Sequence, residues 1–167
     1  ELAAVAAEHE TPFVGPSTLL PPTGTPINRQ VFYLMPGVAE QAGALANFAA
    51  ARPELKGAAA AVVRAEGVLG AAAAGAAEEQ LKLAGWPAHA RHTYAPNAFD
   101  AAALVRQLKQ AGTRAVFFFG ASGDEAKFLK EAAAASYAPH VFLLGVLTGR
   151  DTTAALTPAF KDKIFLS

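Results

Sequence analysis

Arg114-Ala115-Val116-Phe117-Phe118-Phe119-Gly120 is the stretch that decides the fold class. Bulky apolar residues follow one another without polar alternation, and a glycine closes the run. A strand of that kind must be covered on both faces, which is the condition of a parallel sheet. On either side the pattern turns helical. Upstream, Phe99, Ala103, Leu104 and Leu108 form one apolar face, Asn97 can cap it, and Gly112 ends it. Downstream, Ser122 and Glu125 have capping-box spacing, and a helix is expected to run to about Tyr137, where Pro139 stops it. Val141 to Leu147 reads as another buried strand.

Working back from the centre, Ala58 to Ala65 reads as a strand around Val62 and Val63. Gly67 to Ala84 reads as an alanine-rich helix closed by Gly85, and His89 to Ala95 as a more polar strand. Strand starts near 58, 89, 114 and 141 are about one βαβ unit apart. Strands alternating with helices predict an α/β fold with a doubly wound parallel sheet. Near the start, residues 1–10 read as an amphipathic helix with Leu2, Val5 and Ala6 on one face. Pro12-Phe13-Val14-Gly15 reads as a short strand closed by Gly-Pro. Pro16, Pro21, Pro22, Gly24 and Pro26 make residues 16–30 a loop. Val31 to Met35 is a second apolar run, ended by Pro36. A chain that opens inside a helix and closes on Lys163-Ile164-Phe165-Leu166-Ser167, a strand barely begun, is expected to be part of something longer.

Composition excludes several classes. Of 167 residues 53% are hydrophobic, and mean hydropathy is +0.25, which excludes disorder. Fourteen basic and fourteen acidic side chains cancel, so no basic surface invites nucleic acid. There is no cysteine for a disulfide or a thiolate metal site. The alanine-rich stretch 71–77 is short and runs into Glu78 and Glu79, which excludes direct membrane insertion there. No basic start with an apolar run marks a signal peptide. His89 and His92 point to opposite faces of a strand, poor geometry for a shared metal. Gly67, Gly70 and Gly75 follow a strand, but their spacing is not the dinucleotide-binding G-x-G-x-x-G. Neither a P-loop nor a nucleophile elbow is present. The expectation is a protein that is not an enzyme and carries no cofactor. A nucleotide-binding enzyme domain is the rival reading.

In open α/β sheets, ligands bind beyond the carboxyl ends of the strands. That rule selects Ser17 and Thr18, Glu66 and Leu69, Tyr94 and Asn97, Ala121 and Ser122, and Leu147 and Thr148 as candidate ligand-binding residues. Ser17 and Thr18 offer hydroxyl and backbone donors to a carboxylate or amide oxygen, or simply make a turn. Ser122 reads as a helix cap or a ligand contact, and Tyr94 as a stacking platform or a rim residue. Asp124 and Glu125 suit the helix dipole better than acid–base chemistry.

Thr11-Pro12-Phe13-Val14-Gly15-Pro16-Ser17-Thr18, followed by Val31-Phe32-Tyr33-Leu34-Met35-Pro36, resembles the middle of the type I periplasmic solute-binding proteins of ABC transporters, in the branched-chain amino-acid-binding family. Val62-Val63 with Gly70, Tyr94-Ala95-Pro96 before Asp100, the segment 104–112 and the central run 114–120 are similar to that family in the same order. The resemblance covers nearly the whole chain. It implies a type I periplasmic-binding-protein fold, with residues 1–36 as the end of the first lobe and the crossover. Residues 37–167 would be the second lobe, incomplete at its C-terminus. It implies a periplasmic or extracytoplasmic protein that binds a small-molecule solute between two lobes and serves an ABC permease. A ligand-sensing domain of a regulator or receptor with the same fold is the alternative. Two departures bear on the ligand. The family commonly has Asp or Tyr just before the glycine matched by Gly70, where this chain has Ala65-Glu66-Gly67-Val68-Leu69. Amino-acid binders also place an acid for the ligand ammonium where this chain has Val146-Leu147-Thr148-Gly149, with no acid before Asp151. A solute with a carboxylate or amide head and no free α-amine is therefore expected.

Overall fold

A computed structural model describes the chain apart from residues 1, 16, 23–26, 87 and 156, and the side chains of residues 150 and 153. The Gly-Pro corner after Gly15 and the centre of the proline-rich loop therefore fall outside the described residues.

About the first fifth of the chain carries a small sheet of its own. Helix α1 (Leu2–Glu8) is followed by strand β1 (Phe13–Val14), which pairs in parallel with β2 (Val31–Phe32). The Asn28 side chain donates to the Ala3 carbonyl at 2.7 Å and so ties the connecting loop to α1. Helix α2 (Val38–Ala50) then begins a five-stranded parallel sheet with its helices: β3 (Ala60–Ala65), α3 (Val68–Leu83), β4 (Ala90–Tyr94), α4 (Ala101–Gln110), β5 (Ala115–Phe119), α5 (Asp124–Ala134), β6 (His140–Leu143), α6 (Arg150–Ala155) and β7 (Ile164–Leu166). Sheet order is β4-β3-β5-β6-β7, all parallel. β1 and β2 form a sheet of their own, apart from the five-stranded one.

Why the sheet takes helices on both sides is written in its alternation. Val62, Phe117, Phe119 and Phe142 face one way and pack with Ala42, Leu45, Ala73, Ala77 and Leu81 of α2 and α3. Val63, Val116, Phe118, Val141 and Leu143 face the other way, onto Leu104, Leu108, Phe128 and Leu129 of α4 and α5. All five residues of β5 are buried. The chain leaves β3 over the α3 face to reach β4. It then crosses back over the α4 face to β5, reversing direction between β3 and β5. Ala73 and Ala77 are fully buried where α3 packs on the sheet and α2.

Several sequence expectations change in detail. Helix α2 was not among the elements read from the pattern: it buries alanines and Gly43 rather than a stripe of large residues. Asn97 does not cap α4. It sits in a left-handed turn at φ 64°, and Asp100 accepts from the Ala103 N–H at 2.9 Å instead. The Ser122 capping box does not form either. Gly123, left-handed at φ 89°, intervenes before Asp124, so Ser122 is one residue too early to cap. β6 ends at Leu143, and the stretch expected to extend it coils into one 3₁₀ turn, Gly145–Leu147.

Phe117 is fully buried, stacked on Phe142 with ring centroids 4.7 Å apart. Phe117→Ala should cost about 3–5 kcal/mol of unfolding free energy in urea titrations, whereas Leu83→Ala, on an exposed position of α3, should change it by less than about 0.5 kcal/mol. A second outcome concerns pH. Burial holds His92 and His140 below the ordinary imidazole value of 6.5, with Lys163 adding to the effect at His140. The unfolded chain then binds protons before the folded one, so these sites contribute stability above pH 6.5 that is lost as pH falls below it. His92→Gln with His140→Gln should flatten the pH dependence of Tm on the acid side of neutrality.

Candidate functional site

Three loops leave the carboxyl edge of the sheet side by side and enclose a cleft of about 490 Å³. One follows β3 (Ala65 to Gly70), one follows β5 (Phe119 to Ser122), and one follows β6 (Val146 to Gly149). β3 and β5 are the strands between which the winding reverses, so the cleft lies at the topological switch point, the general ligand position of such sheets.

Each loop is held close by a residue with no room to spare. A Cβ on Gly70 would run into the Ala65 carbonyl oxygen, so only glycine lets α3 start directly over the end of β3. A Cβ on Gly120 would meet the Phe118 ring and the Tyr94 hydroxyl. Gly145 stands against the Ser167 carbonyl, where a Cβ would lie 2.6 Å away. The β6 loop is further fixed by the Thr148 hydroxyl, which donates to the Leu144 carbonyl at 2.8 Å.

Two buried carboxylates brace the walls from behind. Asp124, 6% exposed, accepts from the Tyr94 hydroxyl at 3.0 Å and from the Lys127 ammonium at 2.8 Å. The Tyr94 oxygen in turn accepts from the Ala121 N–H at 3.2 Å. Burial, with the neighbouring Asp124 and Glu125 carboxylates, raises the Tyr94 hydroxyl pKa well above its ordinary value, although the Ala121 N–H opposes the shift. The tyrosine therefore remains a neutral donor. Glu125, 4% exposed, accepts from the Thr152 hydroxyl at 2.9 Å and the Gly149 N–H at 3.2 Å, which ties the β6 loop to α5. Consecutive acids at a helix start read in sequence as partners of the helix dipole. Their cross-loop roles depend on residues about 25–30 positions away, which no local pattern links.

Glu66, Leu69, Ala121, Ser122, Leu147 and Thr148 meet in the cleft lining. Tyr94 stands behind it, its ring against Phe99 at 4.7 Å. Ser17 and Thr18 are not in the lining. The Thr18 hydroxyl oxygen accepts from the Leu20 N–H at 3.2 Å, and the Leu19 carbonyl accepts from Val38 at the start of α2. Val68, Val146 and Gly149 join the lining without having been singled out. Among the described residues Glu66 is the one ionisable side chain of the lining, and most of the described wall is apolar or glycine. Ser122 makes no side-chain hydrogen bond among the described residues, and there is no group of three or more His, Asp or Glu among them that could hold a metal. Among the described residues no helix is long and apolar enough to cross a membrane.

The fold has many solved likenesses. A branched-chain amino acid ABC transporter protein from Thermus thermophilus with bound valine superposes with a TM-score of 0.72 at 24% identity, covering 95% of this chain and 41% of that one. A putative branched-chain amino acid ABC transporter protein from Rhodospirillum rubrum gives 0.74 at 17% identity, covering 98% and 46%. A solute-binding protein from R. palustris in complex with benzoate gives 0.66 at 20% identity, covering 95% and 43%. At these identities the likeness is one of fold, and the chain spans under half the length of each of these structures. No curated protein matches the sequence. The periplasmic binding protein family matches residues 1–167, the whole sequence, and the chain belongs to that family.

Proposed function

We propose that this chain supplies one wall of a two-lobed solute-binding protein of an ABC uptake system. In this reading it does not catalyse a reaction. It works outside the cytoplasm, capturing a small solute and presenting it to a membrane permease. The observation that carries the reading is the open cleft at the switch point, whose described lining is mostly apolar or glycine, with Glu66 as its one ionisable side chain.

Residues 37–167 are the second lobe, and residues 1–36 belong to the end of the first lobe and the crossover. Support comes from the separate pairing of β1 with β2 and from the segment that links β2 to α2. That segment, Tyr33 to Val38, is the hinge. It exposes Leu34 and Met35 and reaches α2 at Gly37, which packs so closely on Pro21 that a Cβ would not fit. Closure about such a hinge, not bond making, is the work of the protein.

The solute carries a carboxylate or amide head, an apolar body and no free α-amine, as a small aromatic acid does. A buried ammonium without a carboxylate partner costs several kcal/mol. At the end of β6 the wall offers Val146, Leu147 and Thr148 instead of an acid. Neighbouring folds were solved with valine, with benzoate and with 3,4-dihydroxybenzoic acid, so the fold itself accommodates both kinds of ligand. In thermal-shift screens of the full-length protein, simple carboxylic acids should raise Tm, while leucine and valine should not. Stabilisation by leucine or valine with none by the matching keto acids would refute the ligand assignment. Leu147→Glu should lower affinity for the acid about tenfold or more by like-charge repulsion and open the site to amino acids. The present chain alone should bind only weakly, because the opposite wall is absent. Nanomolar binding by it would place the site within one lobe.

A further inference from the structure

On the flank of the sheet, with a lining that shares no residue with the cleft, a pocket of about 240 Å³ lies between α3 and the edge strand β4. Its polar lining is Arg64, Arg91, Thr93 and Glu78, and Ala71 and Ala74 of α3 form its floor. Strand register explains why these side chains meet. Val62 pairs with Arg91 and Arg64 with Thr93, so both arginines and the threonine project from one face of two adjacent strands. Arg64 and Arg91 are then diagonal neighbours, a like-charge arrangement that is unfavourable unless an anion sits between them.

Glu78 supplies only part of that anion. Its carboxylate accepts from Arg91 Nε at 2.8 Å and approaches His89 Nε2 at 3.5 Å. The terminal amino groups of Arg91 make no hydrogen bond among the described residues. Arg64 is half-buried and, among the described residues, has no hydrogen bond and no ion pair. The Thr93 hydroxyl is likewise unused among them. Basic side chains at the opposite end of the sheet differ. Lys109 donates to the Ala135 carbonyl, Lys163 to Ala138 and Arg114 to Glu54. Those cations are occupied in closing the backbone, whereas Arg64 has been brought inside the lobe and left with its fork open.

We propose that Arg64, Arg91 and Thr93 form a second binding site, separate from the cleft, for a small tetrahedral oxyanion of the phosphate or sulfate type. Guanidinium forks match such oxygens in pairs, and the Thr93 hydroxyl, two residues along β4 from Arg91 and paired with Arg64 across the strands, adds a third donor. The alanine floor leaves the volume empty, which a larger α3 residue would have filled. Glu78 sets the balance: two arginines against one carboxylate leave a net positive charge, enough to attract an anion without binding it tightly.

The test is a titration of sodium phosphate, followed through arginine Nε–Hε NMR signals with ionic strength held by sodium chloride. Arg64 and Arg91 should shift together and saturate in the millimolar range, and chloride alone should not reproduce the shift. Sodium sulfate should compete. Arg64→Gln should weaken phosphate about tenfold or more, and Arg64→Lys, which keeps the charge and loses the fork, should fall between. Should Arg64→Gln fail to fold, Thr93→Val on the exposed edge gives the same reading with about a threefold loss. Unchanged affinity in the folded variants, equal shifts from chloride, or shifts that instead trace the cleft loops would each overturn the proposal. None of these outcomes bears on whether the cleft takes a carboxylic acid, which is read by Tm with the organic acids.

Discussion

Coverage of β5 on both faces is the constraint from which the rest follows. Phe117 and Phe119 enter one core and Val116 and Phe118 the other, so neither face of the strand can meet water. Each such buried side chain contributes on the order of 1.5–3 kcal/mol, and no other strand carries so many aromatic rings. A strand with two dry faces needs helices above and below. Helices above and below need crossovers, and crossovers make every strand parallel. Parallel strands all end at one edge. The cleft exists there because β5 is apolar throughout.

Placing the cleft is a different problem from building the core. It is solved with glycines and buried acids instead of large side chains. Gly70 and Gly120 let backbone approach backbone or ring where any side chain would collide. Asp124 and Glu125 then reach sideways from the first turn of α5, one to the end of β4 through Tyr94, the other to the loop after β6. A hydrogen bond to a charged group is worth about 1.5–3 kcal/mol, and loss of either carboxylate would leave its donors without an acceptor. The loops after β5 and β6 and the end of β4 are therefore fixed to one another through α5, while Glu66 is the one charged side chain among the described residues of the cleft lining.

These two problems differ in how far sequence exposes them. The run 114–120 and the Val62-Val63 strand state their burial locally, since the signal is the composition of the strand itself. Five strand positions of the sheet and the helices α3, α4 and α5 could be read from the pattern, while α6, only six residues long, could not. Helix α2 could not either. Its buried face is mostly alanine and glycine, so it lacks the contrast between large apolar and polar residues on which periodicity depends. Ser122 and Asn97 misled for a related reason. Both are good capping residues, but Gly123 and Asp100 stand closer to the true helix starts, and the backbone took the nearer option. The cleft lining from β3, β5 and β6 followed from the rule that ligands sit beyond strand ends. Ser17 and Thr18 satisfied the same rule in name, yet they follow a strand of the small separate sheet.

The two edges of the main sheet also differ electrically, and this bears on what each can hold. At the carboxyl edge, α3 and α5 begin without a side-chain cap, and the Asp124 N–H at the start of α5 donates to the Ala121 carbonyl. At the amino edge the carbonyls after α4 and α5 are met by Lys109, Lys163 and Tyr137, the last donating to the Thr113 carbonyl at 2.8 Å. Helix dipoles place partial positive charge at the first edge and partial negative charge at the second. The protein meets the second edge with lysines and a tyrosine and the first with the Asp100 cap of α4 and the Asp124 and Glu125 carboxylates of α5, so that of these three helices only α3 starts with neither a cap nor an acid in its first turn. The uncapped start of α3, beside Leu69, Val146 and Leu147 of the described lining, is the feature of this edge on which a preference for an anion attached to an apolar body would rest. That preference belongs to the winding of the sheet before any particular solute is considered, and Glu66 is the lining side chain that opposes it.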